Sequence, residues 1–339
     1  MADDTSRKRK VRGRKIRSDR ERKTGRRAKK KLARATATDG ENGENPLSDP
    51  GEITPEPFVE TDAVESLRGR VTGWLEADQP VHLIGPTGCG KTALALSAAA
   101  ERGRPVVWIN GDEAVDTAAL VGAHAGGERY EEDDRFVGGV HKKTQIVRER
   151  WVDNPLSVAV REGATLVYNE FSRSDPAAHN VLLSVFEEGV LERPGKRGDD
   201  RSIDVHPEFR AIVTSNDVEY AGVHRQQDAL LDRFVGVHVD YYDAETEREI
   251  VRAHTALPDE GVESVVETVR TLRDDLEIVV GTRAAITAAK GLAVFDGDGT
   301  GRFDDELLAD VFTDVLAPKV AGDGDSDVET LRAQVTESI

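Results

Sequence analysis

The sequence predicts an α/β domain built on a parallel sheet, followed by a small all-helical domain and preceded by a basic tail. Between residues 81 and 239, short apolar runs alternate with helical patterns. Beyond residue 240 only helical periodicity remains. Strands that alternate with helices are joined by crossovers, and crossover helices cover both faces of a parallel sheet.

In chain order, residues 1–45 combine a basic run with Thr-Ala-Thr-Asp-Gly-Glu-Asn-Gly-Glu-Asn, which has nothing to bury and reads as disordered. From Phe58 a helical pattern begins, with Val64, Leu67, Val71, Trp74 and Leu75 on one face. The run 81–84, Val-His-Leu-Ile, predicts a buried strand, and the Ala/Leu-rich stretch 93–100 a helix. Further strands are expected at 106–109, 164–168, 209–214 and 234–239, with a helix at 177–188. The stretch 191–205, with its Pro-Gly and Gly-Asp-Asp turns, predicts a hairpin. Helices are expected at 244–255, 262–276, 283–294 and 304–319. The domains therefore read as a tail over 1–45, an α/β domain over 46–240, a helical lid over 241–322 and a flexible C-terminal tail over 323–339.

Charge is unevenly placed. Residues 1–34 hold 17 Lys/Arg against four acids, whereas the 339-residue chain carries −18 in total. An acidic body that favours Arg over Lys is the balance of a protein from a salt-saturated cytoplasm. There, carboxylates hold water and hydrated cations, while molar salt shortens electrostatic reach to about 3 Å. Because salt also weakens phosphate contacts, the basic tail is read as a protein-contact arm, with nucleic-acid binding the less favoured alternative. No apolar run is long enough to span a bilayer, and no apolar segment follows the basic N-terminus as in a secretory signal. The single cysteine, Cys89, excludes an intrachain disulfide.

Between the first predicted strand and its helix lies Gly85-Pro86-Thr87-Gly88-Cys89-Gly90-Lys91-Thr92. It fits the pattern G-x-x-x-x-G-K-[ST], whose glycines let backbone N–H groups turn inward around phosphates. Its lysine reaches the β and γ phosphates and its hydroxyl ligates Mg²⁺. Mg-ATP is therefore the expected ligand, and Cys89 is a small filler at a variable position. A second carboxylate-bearing site is expected where the strand Thr165-Leu166-Val167-Tyr168 runs into Asn169-Glu170. Glu170 is placed to polarise water. Asn169 stands where an Asp is expected to hold the metal's water shell, and an amide supplies no negative charge.

These residues resemble the AAA+ ATPases, and within them the MoxR-like group, over roughly residues 55–320. Thr214-Ser215-Asn216 resembles the sensor-1 segment, which places Asn216 near the γ phosphate. Leu231-Asp232-Arg233-Phe234 resembles the segment whose arginine enters a neighbour's site, and Gly281-Thr282-Arg283-Ala284 the sensor-2 segment that sets Arg283 over the nucleotide. More narrowly, segments 80–92, 154–156, 170–174, 180–188 and 219–223 resemble the MoxR-like ATPases of gas vesicle gene clusters. The resemblance implies a homo-oligomeric ring, a hexamer by preference, that promotes assembly or enlargement of gas vesicles by remodelling other gas vesicle proteins. It also implies a cytoplasmic location with a minor share on the vesicles. Two alternatives stay open. One is a general MoxR-like chaperone that activates or metallates an enzyme, and the other a nucleotide-gated binding protein that hydrolyses little.

Overall fold

The computed structural model describes residues 46–134, 142–196, 198–216, 228–295, 301–320 and 325–339. The basic segment 1–45, expected to be disordered, and the segment 219–223 lie outside the described residues.

Strand β1 (Leu47–Ser48) and helix α1 (Pro50–Ile53) lead into α2 (Asp62–Glu76), whose first turn is capped by the Thr61 hydroxyl. Next come β2 (Val81–Gly85), α3 (Lys91–Glu101), β3 (Val106–Asn110) and α4 (Thr117–Val121). An antiparallel pair, β4 (Gly122–Asp134) and β5 (Lys142–Asp153), precedes α5 (Pro155–Glu162), β6 (Thr165–Asn169) and α6 (Pro176–Glu187). The hairpin expected at 191–205 forms as β7 (Val190–Glu192) and β8 (Ser202–Asp204). Then follow β9 (Arg210–Asn216), α7 (Asp228–Leu231) and β10 (Val235–His238).

The central sheet runs in the order β1-β3-β6-β9-β2-β10, parallel throughout except for β1 on its edge. Strand β2 is thus paired on both sides, by β9 and β10. Both faces are buried, and the pleat divides the side chains between them. In β6, Leu166 and Tyr168 enter a core with Ile109 and Leu182, while Val167 enters the opposite core with Leu75, Leu83 and Leu94. Trp74, expected on the buried face of α2, is 42% exposed. The buried stripe is centred on Val64, Val71 and Leu75 and leaves the indole on its rim.

Beyond β10 come α8 (Ala244–His254), α9 (Asp259–Asp275), α10 (Thr282–Phe295), α11 (Asp305–Val320) and α12 (Asp325–Ser338). They share one core that includes Val266, Leu272, Leu292, Phe312 and Leu316. The flexible tail expected over 323–339 is corrected by α12. Leu331 and Val335, one turn apart, are buried in that core, and Arg332 pairs with Asp310 of α11 at 2.6 Å. Two or three apolar residues on an otherwise acidic segment suffice when a finished bundle offers them a surface.

Candidate functional site

Ligands of open parallel sheets bind beyond the carboxyl ends of the strands, and most of the predicted residues, though not Arg233, gather there. Sheet register sets Gly85 beside Asn216 and Asn110 beside Asn169, so four strand ends meet in a row. A cavity of about 320 Å³ opens above them. It is lined by Thr87, Gly88, Gly90, Lys91 and Thr92 of the loop, by Asn169, Glu170 and Asn216, and by Arg283 of α10. Of the predicted residues, Gly85, Pro86, Cys89 and Arg233 do not line it.

The loop needs its glycines for two different reasons. Gly88 (φ 82°) and Gly90 (φ 96°) are left-handed, a conformation side chains disfavour. At Gly85 the reason is space, because a Cβ would lie 1.9 Å from the carbonyl oxygen of Val239. Cys89 is buried behind the loop, its thiol donating to that same carbonyl at 3.3 Å. Lys91 is buried, and its ammonium donates to the carbonyls of Gly85 (2.8 Å) and Pro86 (2.7 Å) and to Asn216 Oδ1 (3.1 Å). A cation so placed, at the N-terminus of α3, suits a phosphate group.

Asn169 is the centre of a polar network. Its Oδ1 accepts from the Thr92 hydroxyl at 2.6 Å and from Thr214 Oγ1 at 2.9 Å. Its Nδ2 donates to Asn110 Oδ1 at 3.0 Å. The oxygens of Thr92 and Asn169 are hard donors of the kind that would suit Mg²⁺, Thr92 directly and Asn169 through a water. Among the described residues there is no cluster of three or more His, Cys, Asp or Glu side chains.

Glu170 follows at once with a left-handed backbone (φ 51°), which turns the chain out of the sheet. Its N–H donates to Thr214 Oγ1 at 3.1 Å. Its carboxylate is paired with Arg173 at 2.6 Å, both groups being substantially exposed. Sequence reasoning missed Asn110, Arg173 and the bridging role of Thr214. The Asn-Gly at 110–111 closing a strand is the only local signal for the first of these.

Arg283 is held over the loop by the lid. A Cβ on Gly281 would come within 2.6 Å of the Thr87 carbonyl oxygen, so the two backbones touch. The Tyr241 hydroxyl donates to the same oxygen at 3.2 Å, and Arg273 stacks on the Tyr241 ring at 3.8 Å. Burial pushes the Tyr241 phenol up to about 12, so it keeps its proton and remains a donor. Beneath them the buried carboxylate of Glu247 accepts from Arg273 (2.8 Å), Arg270 (3.0 Å) and Thr282 (3.0 Å).

Arg233 lies away from this cavity, 43% exposed and paired with Glu187 at the end of α6. The two hairpins are also tied together. Asp153 receives the Trp151 indole N–H at 2.7 Å, Arg161 at 2.6 Å and Arg193 at 3.3 Å. Burial alone would raise the Asp153 carboxyl, but these donors outweigh it and hold it below the ordinary range.

Residues 80–234 match the family described as AAA domain (dynein-related subfamily). The crystal structure of NtrX from Brucella abortus in complex with ADP superposes with a TM-score of 0.52 at 17% identity. It covers 85% of this chain and 63% of that one, a likeness of fold alone. Gas vesicle ATPase GvpN2 of Halobacterium salinarum is 57% identical over 99% of this chain and 97% of its own. Gas vesicle ATPase GvpN of Haloferax mediterranei is 55% identical over 99% and 97%. Identity at this level along the whole length shows that the chain belongs to the family of gas vesicle ATPases GvpN.

Proposed function

We propose that this chain couples hydrolysis of Mg-ATP to the remodelling of gas vesicle proteins during vesicle assembly or enlargement. The observation that carries the reading is the convergence of Lys91, Thr92, Asn169, Glu170, Asn216 and Arg283 on one cavity. Lys91 and the loop N–H groups hold the β and γ phosphates, and Asn216 orients the γ phosphate or the attacking water. Glu170 polarises that water once its carboxylate is free of Arg173. Thr92 and, through water, Asn169 hold Mg²⁺, which when bound neutralises charge on the phosphoryl oxygens. Arg283 closes the site from the same protomer.

Arg233, exposed and remote from its own cavity, serves the site of the next protomer in a ring, by preference a hexamer. There it stabilises charge on the transferring phosphoryl group, which ties turnover to assembly. The protein acts in the cytoplasm and as a minor component of the vesicles, and the linked hairpins offer a surface for the client. Among the described residues no helix is long and apolar enough to cross a membrane. The test is complementation of a deletion strain. Lys91→Ala, Glu170→Gln and Arg233→Ala are expected to abolish ATPase activity and reduce vesicles seen by microscopy. Vesicles of normal number and size with Lys91→Ala would sink the reading.

A second reading has its own observation. Glu170 is engaged by Arg173 and Asn169 is uncharged, an arrangement that suits a nucleotide-gated binder with slow hydrolysis. A turnover rate raised by Arg173→Ala or Asn169→Asp supports it, and rapid turnover by the natural protein excludes it.

A further inference from the structure

A carboxylate can face a cation in either orientation, because its two oxygens are alike. The amide of Asn169 cannot. Turned one way it presents a carbonyl oxygen to the Thr92 side of the cavity, and turned the other way it presents an NH₂ group that repels a cation. Something must therefore fix the turn.

We infer that Asn110 is a positioning residue that orients the Asn169 amide, so that an aligned carbonyl dipole stands in this chain where a carboxylate is expected. This rests on the reading of Thr92 and Asn169 as the metal-facing pair. On one side of the amide, Thr214 Oγ1 already accepts the Glu170 N–H at 3.1 Å, which leaves its own proton for Asn169 Oδ1 at 2.9 Å. The Thr92 hydroxyl reaches the same oxygen at 2.6 Å. On the other side, Asn169 Nδ2 donates to Asn110 Oδ1 at 3.0 Å. With Asn110 as it stands, a flipped Asn169 amide would set its oxygen against the Asn110 oxygen and lose that bond, and only a turn of both amides together would restore one.

The backbone holds Asn110 in place for this task. Asn110 and Asn169 are register partners at the ends of β3 and β6. The N–H of Gly111 donates to the Asn169 carbonyl at 2.7 Å, and a Cβ on Gly111 would lie 2.1 Å from the Glu170 carbonyl oxygen. The chain after Asn110 is thus clamped against the residues that carry the chemistry, and glycine is what allows it.

The test is a Mg²⁺ titration of binding by a fluorescent ATP analogue, at constant ionic strength, with the full-length chain. Asn110→Leu removes the acceptor at similar volume and is expected to raise the Mg²⁺ midpoint about tenfold, the scale of one lost buried hydrogen bond. In an Asn169→Asp background, where no turn needs fixing, the same substitution is expected to shift the midpoint by less than about twofold. Asn110→Asp keeps an acceptor and adds negative charge beside the site, so with Asn169 its midpoint should be no higher than the natural one. If circular dichroism shows Asn110→Leu unfolded, Asn110→Ala is read in the same two backgrounds instead. Equal shifts in both backgrounds, or no shift with Asn169, overturn the inference. Lys91→Ala separates the two levels. If it binds the analogue unchanged, the reading of the phosphate loop falls and the inference with it. If it abolishes binding while the Asn110 variants leave the midpoint unmoved, the inference alone falls.

Discussion

Glu247→Ala should be among the most damaging single changes in the helical domain, and it should reach the nucleotide site as well. The Glu247 side chain is 1% exposed, while Arg273 is 15% and Arg270 42% exposed. Hydrogen bonds to charged groups contribute about 1.5–3 kcal/mol each in favourable cases. The exposed Arg270 contact adds little to that, because water competes for it. Deleting one partner of a buried pair costs about 3–5 kcal/mol, since the other charge is left without compensation. Arg273 would keep its bond to the Val280 carbonyl at 2.8 Å and its stacking on Tyr241, which places the loss near the lower end, about 3 kcal/mol. Glu247→Gln retains one acceptor oxygen and should lose about half as much. Equilibrium urea unfolding followed by circular dichroism at fixed salt measures both. Thr282, which begins the helix carrying Arg283, donates to the same carboxylate, so ATP should also bind more weakly to either variant. A loss under about 1 kcal/mol for Glu247→Ala would refute the reasoning, because a carboxylate so enclosed would then contribute no more than a surface ion pair.

Three further outcomes follow from contacts already described. Gly281→Val drives a Cβ against the Thr87 carbonyl oxygen, so the lid must back away from the loop. ATP affinity should fall at least about tenfold in a binding titration, while the circular dichroism spectrum is retained. Cys89 is buried, so a thiol reagent should label it slowly by mass spectrometry, more slowly still with ATP bound, and labelled protein should no longer bind nucleotide. Asp153 has a carboxyl held below its ordinary value, so its contribution is complete above about pH 4 and is lost as pH falls through the folded value. The stability gap between the natural protein and Asp153→Asn should therefore close as pH drops below about 4, read by urea unfolding at stepped pH.

The phosphate loop was legible because its chemistry is contiguous: eight successive residues carry the turn, the cation and the hydroxyl. The alternation of strands and helices was legible too, since a sheet buried on both faces leaves unbroken apolar runs such as Leu166-Val167-Tyr168. What escaped depends on register between distant segments. Asn110 acquires its meaning only when β3 lies beside β6, and Glu187 its meaning only when α6 ends beside Arg233. The hairpin β4–β5 escaped for another reason, as a paired ribbon outside the central sheet needs no apolar run to announce it. Helix α12 was mistaken for a tail because its short apolar face, Leu331 and Val335, is persuasive only against a neighbour.

The strand order has a consequence for how the molecule comes into being. Strand β2, the first long strand to leave the ribosome, has no sheet partner until β9 and β10 have been made. The carbonyl that backs Gly85 and receives the Cys89 thiol belongs to Val239, 150 residues after Cys89. Pairings of such separation close slowly, and a nascent chain that carries the entire phosphate-loop motif still lacks the wall behind it. ATP should therefore find no complete site on a chain that ends before Val239, and the contacts of Gly281 and Arg283 with the loop are added later still. The nucleotide would then stabilise only chains whose core has closed.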